Sequence, residues 1–117
     1  MKTTKAHFKL FKDEVLRTIK KWNLEDWRID VVHEDLKAND RAQAHTRGVA
    51  MVGAVVLNTD WQNETVTPEA LKQTARHECV HILMGRVDAC MHARYVTEDE
   101  ITGHIEQLVR HLERLLP

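Results

Sequence analysis

Residues 27 to 58 alternate in strand fashion between segments of helical periodicity, and this arrangement constrains the fold more than any other feature of the chain. Upstream, Phe8, Phe11, Val15, Ile19 and Trp22, with Leu16 beside them, mark one face of an amphipathic helix over 4 to 22. WNLEDW breaks that pattern. WRIDVVHE then sets Trp27, Ile29 and Val31 against polar neighbours, as a half-buried strand does. A polar stretch, DLKANDRA, leads into a weak strand near 41 to 47 and a stronger one near 50 to 58. Gly48 marks a turn between them, and Gly53 a bulge or a close backbone approach.

Downstream, Thr67-Pro68-Glu69 starts a helix. Thr67 can cap it, Pro68 suits its first position, and Glu69 complements its dipole. The pattern runs to about Met84, with Gly85 expected as the C-terminal stop and RVDACMHARYV as a connector. Thr97 and Glu100 form a capping-box pair, with Glu98 and Asp99 as further first-turn acids. The last helix carries Ile101, Ile105, Leu108, Leu112 and Leu115 on one stripe. The order helix, three strands, helix, helix predicts an α+β domain with a mainly antiparallel sheet covered by helices.

The 117 residues suffice for one core, so 1–117 reads as a single domain. Hydrophobic residues at 43% and charged residues at 30% are ordinary globular composition and argue against a disordered chain. A net charge of -1 leaves no basic footprint, so no nucleic-acid partner is expected. No apolar run approaches the roughly 20 residues a bilayer requires, and MKTTKAHFKLFKDEV lacks the core of a secretory signal. Cys79 and Cys90 are too few for a disulfide framework, and the expected setting is the cytoplasm.

Chemistry concentrates in TARHECVHILMG, residues 74 to 85. On a helix, His77 and His81 sit one turn apart on one face, so both can hold one metal ion, and paired neutral imidazoles suit Zn²⁺. Glu78 points about 100° around the helix from His77, placed to take a proton from a metal-activated water attacking a carbonyl. Shuffling this composition, with its eight histidines, would produce the pattern about one time in twenty. Its position inside a capped helix argues against accident. The apolar surroundings CVHILM further predict that the histidines lie in or beside the core. A catalytic zinc usually takes a third protein ligand. Glu98, Glu100, His104, Glu106 and Glu113 are candidates on the final helix; periodicity puts Glu98 and His104 nearer the apolar stripe and Glu106 off its edge, without choosing.

With these elements in place, almost the whole chain resembles a minimal gluzincin, the small HExxH metallopeptidase domain of phages and prophages related in fold to SprT-like zincins. The likeness runs from the N-terminal helix through WRIDV and two further strands to TPEALKQTARHECVHILM and the final EQLVRHL. It implies a zincin-like fold, peptidase activity on a peptide or protein substrate, and the cytoplasm, the host's where the domain is phage-encoded. It also implies that the third ligand is a glutamate followed by x-x-V-x-x-L, a pattern that falls on Glu106 with Val109 and Leu112 behind it. Met84-Gly85-Arg86-Val87 after His81 excludes the third histidine of a metzincin, and the Cys₄ ribbon of larger SprT-like proteases is missing.

Tyr95, His92, Arg94 and His104 flank the expected cleft, and Tyr95, the only tyrosine, is the preferred oxyanion donor. VAMVGAVVLN could pair with an extended substrate or serve as the central strand. Asn58, Asp60 and Glu64 are alternatives for orienting the histidines through their other ring nitrogens. Cys90 and His92 read as connector residues rather than a second metal pair. The sequence specifies neither a natural substrate nor an oligomeric state.

Overall fold

A computed structural model describes residues 1–93 and 95–115. The chain runs α1 (Lys5–Lys21), β1 (Arg28–Glu34), β2 (Ala42–Arg47), β3 (Val52–Asn58), α2 (Pro68–Leu83), α3 (Gly85–Met91) and α4 (Glu98–Leu115). It forms one α+β domain, as its periodicities predict.

Local chemistry explains where the first helix begins and ends. The Thr4 hydroxyl accepts from His7 N at 3.2 Å, while His7 Nδ1 accepts from Thr4 N at 3.0 Å. At the other end Asn23 takes a left-handed φ of 56°. Its N–H donates to Lys20 O and that of Leu24 to Ile19 O, the paired bonds of a Schellman stop. Leu24 is buried there, which is why WNLEDW ends the helix.

The sheet order is β1-β3-β2. β2 runs antiparallel to β3, joined by the turn at 48–51, but β1 runs parallel to β3. The sheet is therefore mixed rather than mainly antiparallel. Residues 35 to 41 carry the chain past the position β3 later occupies, so β3 returns between the two earlier strands in the direction of β1. Alternation within a strand carries no information about this insertion. Buried Asn58 holds the crossover: its side-chain nitrogen donates to Ala38 O (3.1 Å) and Asp40 O (2.8 Å), and its side-chain oxygen accepts from Leu36 N (3.2 Å). Gly53 makes a close approach: a Cβ there would stand 2.6 Å from His45 O across the β2–β3 pair.

One sheet face supplies Val55, Leu57 and Ala42 to the core, where Phe11, Val15 and Ile19 of α1 meet Leu71, Ala75, Cys79 and Ile82 of α2. α1 and α2 pack against each other, and α2 also contacts β2. Trp27 joins this core, whereas Phe8 and Trp22 are only half-buried at its margin.

A buried carboxylate ties the two helices. Glu14 Oε1 lies 2.6 Å from Arg17 on α1 and 3.1 Å from Arg76 on α2. Hydrogen bonding from Arg17 holds the carboxyl below its ordinary value; burial opposes this and Arg76 adds to it. A depressed carboxyl contributes stability that is present above its unfolded value, about 4.5, and lost as pH falls through the folded value. Glu14→Gln is therefore expected to cost about 1–2 kcal/mol at neutral pH. Urea titrations at successive pH values should show wild type and variant converging in acid; parallel curves would refute the coupling.

The segment after α2 is not a plain connector. Gly85 opens α3 instead of stopping α2 in a left-handed turn, and no described glycine has positive φ. Val87 and Cys90 of α3 are buried, and Gly48 packs so tightly on it that a Cβ would stand 2.4 Å from Gly85 O. α4 is the loosest element: no residue in it is fully buried, and Ile105, on its predicted apolar stripe, is 47% exposed. Among the described residues no helix is long and apolar enough to cross a membrane.

Candidate metal centre

The helix carrying the histidines is fixed at its start by Thr67, whose hydroxyl accepts from Ala70 N at 3.1 Å, and by Pro68 in the first turn. Its rotation is set by Leu71, Thr74, Ala75, Glu78, Cys79 and Ile82, all buried at i, i+3, i+4 spacing. That phase leaves His77, Val80, His81 and Met84 on the exposed side. The expectation that the histidines lie in the core is thus corrected. They face solvent, and the glutamate between them is the residue drawn inward.

The ring centroids of His77 and His81 are 5.1 Å apart, with planes at 72°. For two imidazoles on one tetrahedral zinc, with N–Zn of about 2.1 Å and each ring centre about 1.1 Å beyond its nitrogen, the centroids stand roughly 5 Å apart. The observed separation of the two rings is of that size, while the direction of their nitrogens is a separate requirement that ring centroids do not fix.

Glu78 is 5% exposed. Burial pushes its carboxyl above the ordinary value; His81 and His77 oppose that shift, Asp40 adds to it, and His45 opposes it. Two groups absent from the sequence reading, Asp40 before β2 and His45 within it, thus lie in the electrostatic neighbourhood of the helix. Only β2's position at the sheet edge against α2 brings them there.

The structure does not gather the remaining candidates. Among the described residues no group of three His, Cys, Asp or Glu side chains is placed to hold a metal. Glu106 lines a separate cavity with Trp27 and Arg86, and its carboxylate lies 3.5 Å from Arg110. Glu98 and Glu100 are exposed in the first turn of α4, where Glu100 N donates to the Thr97 hydroxyl at 3.1 Å; Glu113, near the end of that helix, is exposed too. His104 lines the same cavity as Glu106. Tyr95, between α3 and α4, is 83% exposed. His92 is exposed and bonds Asp88 O, and Arg94 lies outside the described residues.

The proposed orienting residues are used elsewhere. Asn58 clamps the crossover, Asp60 accepts from Gln62 N at 2.8 Å, and Glu64 pairs with Arg41 at 2.8 Å. Burial pushes the Cys79 thiol up to about 12, so it stays protonated in the core, with its sulfur 3.8 Å from Val15 O.

No protein family, curated protein or solved structure matches this chain.

Proposed function

We propose that this chain is a zinc-dependent hydrolase of peptide bonds, a zincin-like enzyme in which His77 and His81 hold the metal and Glu78 is the general base. The observation that carries the reading is the 5.1 Å pairing of two exposed imidazoles beside a buried carboxyl. Zinc bound there would supply Lewis acidity and lower the pKa of water. Glu78 is suited to accept a proton and pass it to a leaving amine, because burial strengthens its hold on that proton. The edge strand beside α2 is β2, with β3 in the centre of the sheet. Its outer rim offers main-chain groups to an extended peptide, so β2 takes the docking role that VAMVGAVVLN could have held.

A purely structural metal is the rival reading. His77 and His81 belong to consecutive turns of one helix, so a metal shared between them ties no second element to α2. Structural zinc sites stabilise small domains by linking segments that would otherwise separate. This geometry favours chemistry over stapling.

Protein purified without chelators or a histidine tag should carry about one zinc per chain, and His77→Ala should lose it. With α4 where it stands, Glu106→Ala keeps the metal; its loss in that variant would instead make Glu106 a ligand through movement of α4. A wild type without zinc, unchanged in melting temperature by chelation, would end the proposal.

A further inference from the structure

Where the α1–β1 turn, the end of α2 and α4 converge, the surface encloses a cavity of about 630 Å³. That volume is ordinary for a small-molecule site. It does not include His77, Glu78 or His81. Its lining includes the half-buried Met51, Leu83 and Leu108 beside the buried Leu24 and Trp27, together with Arg86, Arg110 and Arg114. Two carboxylates also border it, Asp26 and Glu106, and Glu106 is engaged by Arg110. Arg86 and Arg114 have no ion-pair partner among the described residues, and Arg86 is half-buried. A guanidinium partly withdrawn from water without a counter-charge is unfavourable until an anion reaches it. This cationic cluster sits in a chain whose net charge is -1.

Gly103 supplies a second, independent sign. It lies inside α4 and lines the cavity, yet a Cβ there would meet nothing within 4 Å. Glycine weakens a helix interior relative to alanine, and no described neighbour requires it here. What the missing side chain does at this surface is leave the cavity open.

We propose that this cavity binds an amphipathic small-molecule anion. A phosphate or carboxylate head sits against Arg86 and Arg114, and an apolar body lies against the half-buried Met51, Leu83 and Leu108 beside Trp27. The site is independent of the metal-centre reading and needs no zinc.

Calorimetric titration of the full chain with hexyl phosphate, hexanoate and hexylamine tests it, with tryptophan fluorescence reporting on Trp27. At least one of the two anions should bind saturably at one per chain, the tighter identifying the head group, while hexylamine should not bind. The double variant Arg86→Gln/Arg114→Gln should bind about tenfold more weakly. Gly103→Leu should narrow the cavity and weaken binding while circular dichroism shows the helix content kept; if that variant fails to fold, the arginine pair carries the test. Failure of both anions, equal binding of hexylamine, or unchanged affinity in the double variant would overturn the assignment.

Discussion

Glu78→Gln is expected to keep the zinc and stop the chemistry, lowering peptide turnover about a thousandfold, or about 4 kcal/mol in the barrier. Glutamine nearly matches glutamate in size, so α2 keeps its packing and the two imidazoles keep their separation. It cannot accept the proton. The same variant should leave the metal-free protein at least as stable as wild type. Because burial raises the Glu78 carboxyl, the folded state holds that proton more tightly than the unfolded state. Its contribution to stability therefore declines as pH rises from about 4.5 upward, and the amide escapes the cost. Turnover, zinc content and melting temperature in one preparation separate the possibilities. Zinc retained with turnover intact would show that Glu78 is not the base. Loss of zinc in this variant would show that the carboxyl supports the metal itself.

The largest stability effect is expected at Trp61. Its side chain is 1% exposed, its indole N–H donates to Arg41 O at 3.1 Å, and the Arg41 guanidinium lies 5.0 Å above its ring. Trp61→Ala removes a large apolar volume and one of the two donors to Arg41 O, which keeps its bond from Asn58 N, at about 3–5 kcal/mol. Domains of this kind hold only about 5–15 kcal/mol in total. The melting temperature should fall by roughly 15 °C, with some preparations unfolded at 37 °C. Trp61→Phe should recover most of the difference, because the ring volume matters more than one hydrogen bond. If the alanine variant melts within a few degrees of wild type, Trp61 does not anchor this end of the core. Arg41–Glu64, exposed beside it, contributes little by comparison.

Trp61 also shows how sequence reading misplaces weight. Phe8, Phe11, Trp22 and Trp27 stand out because they fall on recognisable periods, whereas Trp61 lies in an irregular segment between β3 and α2. Yet Phe8 and Trp22 are half-buried and Trp61 is fully enclosed. The phase of α2 was legible in principle: Leu71, Ala75, Cys79 and Ile82 define a stripe that takes in Glu78 and leaves His77 and His81 outside. The apolar run CVHILM obscures it, since Val80 and Met84 are exposed despite their chemistry.

Asn58 carried a sign that local reading could not interpret. A polar residue ending an apolar strand offers itself to any nearby partner, and the histidines were one choice. The crossover at 35 to 41 took its amide instead, with backbone groups that local pattern gives no reason to place there.

What the sequence by itself determined is local. The helical periods, the caps at Thr67 and Thr97, and the pairing of His77 with His81 one turn apart all follow from interactions within a few residues. So does the existence of three strands. Only the tertiary structure decided the insertion of β3 between β1 and β2, the burial of Glu78, the nearness of Asp40 and His45, and the placing of Glu106 in a different cavity. Each depends on contacts between segments far apart in the chain, where strand order and helix docking are settled by which surfaces exclude water together. No periodicity within a segment encodes that choice.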